Sequence, residues 1–269
     1  MIQYEIFADG FCRQLEAFAI RGGRFKMVKF PSMMALLEHP EHGIILFDTG
    51  CTERFFSATS SLPYALYRWV TPVTLNKNLT ARAFLESRGV LPESLKHIFL
   101  SHFHADHMGG LRDFPNATIH CTKQAYQSVK DRMGFSAVKH AYLPALLPSD
   151  FESRARFLEG NTVTLEESWK PFDVGWDVFD DGSLIAVSLP GHAIGQVGLT
   201  FRNTNGDPVF LVSDACWSRE AFRKNIPPSL VGWIPQAQRK EYRHPLKRLH
   251  DLHRNSPSIS IIPTHCGEQ

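Results

Sequence analysis

Leu100-Ser101-His102-Phe103-His104-Ala105-Asp106-His107-Met108-Gly109-Gly110 places three imidazoles and a carboxylate within six residues. It directly follows His97-Ile98-Phe99-Leu100, an apolar run with the composition of a short buried strand. The ligand types therefore sit at a strand's carboxyl end. If the chain stays extended there, His102 and His104 project to the same side and can grip one ion together. Asp106 and His107 are neighbours that point apart, so they cannot both join that ion, and a second ion beside the first accommodates them. Gly109 and Gly110 are expected to permit a tight exit into the next element. Histidine is common enough in the chain, 13 in 269 residues, that one alone would signify nothing; this clustering points to a metal.

The same grammar recurs outward from that stretch. Gly43-Ile44-Ile45-Leu46-Phe47 reads as a strand that ends in Asp48-Thr49-Gly50. Leu184-Ile185-Ala186-Val187-Ser188-Leu189 runs into Pro190-Gly191-His192, Val209 to Val212 runs into Ser213-Asp214, and Ser258-Ile259-Ser260-Ile261-Ile262 runs into His265. Short apolar strands thus end in His102, His192, Asp214 and His265. In layered α/β folds, strand carboxyl ends form the rim where ligands bind. Thr80 to Gly89 carries helix signals at both ends, and Leu246, Leu249 and Leu252 mark a helix expected to begin near Pro245.

The run H-x-H-x-D-H at 102–107 resembles the signature of the metallo-β-lactamase-fold hydrolases, and the later ligands occur in that superfamily's order along nearly the whole chain. The resemblance implies a four-layer αββα sandwich of two sheets flanked by helices, in one domain over 1–269 with pseudo-halves at about 1–180 and 181–269. It implies that His102, His104 and His192 hold a first divalent ion, that Asp106, His107 and His265 hold a second, and that Asp214 bridges them. Asp48 is implied to support the site without binding metal, as a carboxylate does when it accepts a ligand imidazole's other N–H. Imidazole and carboxylate ligands suit zinc first, then manganese or iron. Two ions about 3.5–4 Å apart can hold a hydroxide between them and polarise a carbonyl, with Asp106 and Asp214 as the catalytic carboxylates and Asp214 as proton shuttle.

The overall layout is most similar to the N-acyl-homoserine lactonase branch. That branch commonly carries a Tyr three residues after the bridging Asp, where this chain has Trp217. An indole N–H donates one hydrogen bond but is not a phenolic acid. The expected reaction is cleavage of a lactone or ester with a hydrophobic acyl or aryl group. An acyl-thioester hydrolase is the competitor; a phosphodiesterase, an RNA-processing relative or a non-catalytic binding protein fits less well.

Phe55, Phe56, Tyr64, Tyr67 and Trp69 leave the first strand end and, with Trp217, are expected to line an apolar substrate pocket. The Pro-punctuated stretch 135–179 is expected to be an irregular insertion that serves as a lid. Net charge is +2 with charges well mixed, and the basic residues from Arg239 to Arg254 read as a solvated helix face, so a small-molecule partner is expected and not nucleic acid. Five cysteines without a C-x-x-C pair argue against a disulfide framework. No apolar run approaches the roughly 20 residues needed to span a bilayer, and no export signal is evident, which predicts a soluble cytoplasmic protein without membrane contact.

Overall fold

The computed structural model describes residues 1–229 and 239–267, with the side chains of 239 and 240 excepted. Alternating apolar and polar positions in the first 47 residues form a long antiparallel hairpin, β1 (Gln3–Leu15) and β2 (Met27–His39), continued by β3 (Gly43–Phe47). The short β4 (Val73–Leu75) pairs outside β1. β5 (His97–Phe99), β6 (Thr118–Cys121) and β7 (Ala155–Phe157) add in parallel on the other side of β3, giving a seven-stranded sheet in the order β4-β1-β2-β3-β5-β6-β7.

The second sheet contains β8 (Thr162–Thr164), β9 (Val174–Asp177), β10 (Ile185–Ser188), β11 (Val197–Arg202), β12 (Pro208–Ser213) and β13 (Ser260–Pro263). Its order is β13-β12-β11-β10-β9-β8, and it is antiparallel except for the β12/β13 pair.

Strand periodicity explains why two sheets need four layers. Along β2, Met34 and Leu36 enter an outer core, while Ala35 and Leu37 face the other sheet. Along β5 and just beyond it, Ile98 and Leu100 face outward and Phe99 inward. β12 does the same, with Val209 and Leu211 between the sheets and Phe210 and Val212 outside. Both faces of these strands are apolar, so each sheet must also be covered by helices. The helices Ala81–Ser87 and Lys123–Val129 cover the first sheet, capped by the hydroxyls of Thr80 and Thr122. The helices Arg219–Lys224 and Arg239–Asn255 cover the second. This is the αββα sandwich.

Three expectations change. The second sheet begins at Thr162, so the division expected near residue 180 moves back by almost twenty residues. The stretch 135–179 is not an irregular insertion: it holds helices Gly134–Lys139 and Phe151–Arg154, the edge strand β7, and both strands β8 and β9. These elements are three to six residues long, too short to impose a readable period, and the prolines mark their ends rather than disorder. The last helix begins at Arg239, with Pro245 inside it. Tyr242, Leu246, Leu249 and Leu252 are buried beneath it, while Arg243, Lys247 and Arg254 face solvent. Among the described residues, no helix is long and apolar enough to cross a membrane.

Leu37 is fully buried between the sheets. Leu37→Ala is expected to lower unfolding free energy by roughly 2–5 kcal/mol, the range for a buried Leu→Ala cavity, as measured by denaturant titration. A loss below about 1 kcal/mol would contradict close packing between the sheets.

Candidate metal centre

The carboxyl ends of β3, β5, β10, β12 and β13 meet at one edge of the sandwich, where backbone bonds stitch the elements together. Asp48 N–H donates to Phe99 O (2.9 Å), Val197 N–H to Ser101 O (3.1 Å), Thr264 N–H to Ser213 O (3.1 Å) and Met33 N–H to Thr264 O (3.2 Å). The Asp48-Thr49-Gly50 turn docks on the motif helix Ala105–Met108: both the N–H and the hydroxyl of Thr49 donate to His107 O. Gly109 and Gly110 matter through closeness rather than turn conformation. A Cβ on either would lie 2.5–2.6 Å from the carbonyl oxygens of Gly50 and Thr49.

Three overlapping groups of ligand atoms result: His102 with His104 and His192, His102 with His107 and Asp214, and Asp106 with His107 and His265. All seven residues singled out in the sequence come together. His192 Nε2 lies 2.9 Å from His104 Nδ1 and 3.2 Å from Asp214 Oδ2. His265 Nε2 lies 3.0 Å from Asp214 Oδ2 and 3.5 Å from Asp106 Oδ2. Asp214 therefore stands between the groups, its Oδ1 3.4 Å from His107 Nε2.

Neighbouring side chains fix which nitrogen faces the centre. His107 Nδ1–H donates to Asp48 Oδ2 (2.7 Å), His265 Nδ1–H donates to Pro31 O (2.7 Å), and His102 Nδ1 lies 3.0 Å from Ser101 Oγ. Each ring thereby turns Nε2 inward, which is the arrangement that metal-ligating histidines require. Asp48 itself is satisfied by the N–H and hydroxyl of Ser101, each at 2.8 Å. The Nε2 atoms of His102 and His107 and the Oδ1 of Asp214 are buried and, among the described residues, make no hydrogen bond, the last two facing each other at 3.4 Å. Unpartnered buried polar atoms are costly, and this nitrogen and oxygen set fits divalent transition ions.

Electrostatics divide the site. Burial, reinforced by neighbouring imidazoles, holds His102 and His104 well below the usual histidine range, in the neutral form that ligates. Burial also disfavours charge on His107, but Asp48, Asp214 and Asp106 outweigh it and raise its pKa. His265 is pushed up to about 9, because Asp214 overcomes the effect of burial. Burial alone would raise Asp214, yet His265, His107 and His192 hold it well below the carboxylate range.

Beside the Asp106 and His265 half lies a narrow cleft walled by Phe11, Phe30, Phe55, Tyr67 and Val73. Phe55 and Tyr67 were expected in it. Phe56, Tyr64, Trp69 and Trp217 are not among its lining residues: Phe56 packs against the first core, Tyr64 Oη accepts the N–H of Gly134, Trp69 is 62% exposed, and Trp217 sits against His192 and Phe30. One turn of short helix directs successive aromatics to different sides, so sequence proximity could not separate them. Trp217 Nε1–H donates to Asp214 Oδ2 (3.2 Å), so the indole is engaged with the carboxylate. Asp9, Phe11, Phe30 and Ser32 reach the cleft from β1 and β2, far from the motif in sequence. A carboxylate at an inward position of an alternating strand was the one signal for Asp9.

A fourth group, His39, His42 and Asp181, lies at the opposite end of the sheet. There His39 Nδ1 accepts the N–H groups of Glu41 and His42, both at 3.1 Å. A neutral ring then keeps its proton on Nε2, the atom facing Asp181, and has no lone pair there for a metal.

Residues 28–252 match the metallo-beta-lactamase superfamily. The chain belongs to that superfamily. The N-acyl homoserine lactonase AttM of Rhizobium radiobacter is 27% identical over 150 residues, 55% of this chain and 51% of AttM, so the chain spans about half the length of that relative. An N-acyl homoserine lactonase of Bacillus thuringiensis is 25% identical over 78% of this chain and 73% of its own length. The solved structure of a B. thuringiensis AiiA variant with N-decanoyl-L-homoserine at its active site superposes with a TM-score of 0.73 at 22% identity, covering 99% of this chain and 94% of AiiA. AidC, a dizinc quorum-quenching lactonase, gives 0.67 at 17% identity, covering 99% of this chain and 88% of AidC. These structures share the superfamily's sandwich.

The carboxylates that hold His107 and His265 above the ordinary histidine range make a metal compete with protons at these rings. Zinc affinity of the metal-free protein is therefore expected to rise with pH up to about 9, with protons released on binding. Calorimetry in buffers of different ionisation enthalpy measures that release; pH-independent uptake without it would contradict the assignment.

Proposed function

We propose that this metallo-β-lactamase-superfamily chain is a metal-dependent hydrolase that opens an ester-type carbonyl bond, a lactone or ester with a hydrophobic acyl or aryl body. The carrying observation is the convergence of seven ligand side chains, Asp214 among them, beside an apolar cleft. The lactonase names of the relatives at moderate coverage support the same reading. In this reading His102, His104 and His192 hold one divalent ion, Asp106, His107 and His265 hold the second, and Asp214 serves both, with zinc favoured by the ligand types. When bound, such a pair supplies an activated water and Lewis-acid polarisation of the carbonyl.

The protein's own groups do the rest. Asp214 holds or passes the proton that the leaving oxygen needs, because it is the one carboxylate that touches both ligand groups. Trp217 orients Asp214 through its indole N–H and cannot supply a phenolic proton in its place. Asp48 and the carbonyl of Pro31 keep His107 and His265 aimed inward. Phe55, Tyr67, Phe11 and Phe30 exclude water and receive the apolar part of the substrate.

Trp217 also favours an acyl thioester as the second reading, since a thiolate leaving group needs less protonation than an alkoxide. Metal-loaded protein assayed on a matched lactone, aryl ester and thioester with the same acyl chain decides between them. Turnover of the lactone or ester above the thioester is expected, and Asp214→Asn should reduce it by roughly 10²-fold or more. Cleavage of phosphodiesters with no carbonyl substrate touched would overturn the reading.

A further inference from the structure

We propose that Asp9 forms a polar subsite in the apolar cleft, where it accepts a hydrogen bond from an N–H or O–H group that the substrate carries next to its scissile carbonyl. The proposal rests on the hydrolase reading for the word substrate, but the subsite itself is a feature of the cleft.

β1 carries Asp9 inward in register with Phe7, at a break in pairing with β2 between Ala8 and Phe11. Such bulges re-aim side chains and cluster near active sites. Asp9 is 1% exposed, among Phe11, Phe30, Phe55, Tyr67 and Val73, on the cleft that Asp106 and His265 also line. A carboxyl at this depth in an apolar wall demands partners for both oxygens.

One oxygen has them. Oδ2 accepts the backbone N–H of Cys51, and it occupies the space that a Cβ on Gly50 would need, 2.0 Å away. It thereby closes the turn after Asp48. Ser32 lies beside the carboxyl, with one hydroxyl hydrogen to share between it and the carbonyl of Asp106 at 3.1 Å.

Oδ1 is different. It is buried and has no donor from any described residue. A structural cap for Cys51 requires one oxygen, and an alcohol or amide side chain would provide it without a second acceptor. Asp9 lines a cleft that borders the proposed reaction centre, so a ligand held there with its carbonyl towards Asp106 and His265 places its neighbouring group at Asp9. A group with a hydrogen to donate satisfies Oδ1; an ether oxygen or a second carboxylate leaves it unpaired or repels it.

The test uses zinc-loaded protein and two ligands: N-hexanoyl-2-aminobutyrate, and the keto acid in which a methylene replaces its N–H. Binding by wild type, Asp9→Asn and Asp9→Ala is measured by calorimetry, with thermal melting as the check on folding. Wild type is expected to prefer the N–H ligand by about tenfold or more, an effect of the size of one satisfied buried hydrogen bond. Asp9→Asn keeps an oxygen for Cys51 but turns an N–H2 to the cleft, so it should lose that preference while binding the keto acid at least as well. Equal wild-type affinity for the two ligands, or binding of neither, overturns the proposal, and that comparison needs no variant. An equal loss for both ligands in Asp9→Asn and Asp9→Ala also overturns it, by reducing Asp9 to a cap of the turn. A preserved preference with no turnover of any ester or lactone would leave the subsite standing and remove the hydrolase reading.

Discussion

The site depends on one buried carboxylate. Asp48 sits wholly inside the protein at the seam of the sheets, in a left-handed backbone conformation (φ 60°) that few non-glycine residues adopt. Its two oxygens take the N–H and hydroxyl of Ser101 and the Nδ1–H of His107. The same Ser101 oxygen receives the hydroxyl of Ser213 and lies beside Nδ1 of His102. A carboxylate so buried persists only when fully hydrogen-bonded; here its donors all come from the motif segment of one sheet, and the hydroxyl of Ser213, at the β12 end of the other sheet, reaches them by donating to Ser101 Oγ. Satisfying Asp48 therefore orients ligands and joins the two sheets at once.

Convergence of the remaining ligands follows from strand direction. β10 and β12 run the same way, each antiparallel to the intervening β11, and β13 is parallel to β12. Their carboxyl ends necessarily share an edge, which brings His192, Asp214 and His265 to one rim. The three buried cores keep the strands in register, because a slip of one residue would turn Leu211 or Phe99 from the inner core to the outer one. Close packing across the sandwich thus sets the precision with which the ligand side chains meet.

Much of this was legible from residues alone. His102, His104, His107, His192, Asp214 and His265 each end or follow an apolar strand, and strands such as Gly43–Phe47 and Pro208–Ser213 are continuous hydrophobic runs because both their faces are covered. Less legible was whatever depends on pairing between distant residues. β7, β8 and β9 are edge or near-edge strands of three or four residues, defined by their partners rather than by pattern, so 135–179 reads as irregular although it completes both sheets. The cleft was half legible for the same reason. Phe55 and Tyr67 belong to it, but Phe11, Phe30 and Asp9 arrive from the first hairpin, distant in sequence from the motif. Trp217 stands out in the sequence, yet its bond to Asp214 depends on the fold.

The proposed function assigns two ions to the overlapping ligand groups that meet at Asp214 and His107, and counting them is the most direct measurement. The protein, stripped with chelator, reloaded with zinc and freed of excess, is analysed for metal by inductively coupled plasma mass spectrometry against protein concentration from amino-acid analysis. The predicted result is close to two ions per chain. A stoichiometry that saturates at one ion, with zinc, manganese and iron alike, would contradict the paired-metal account.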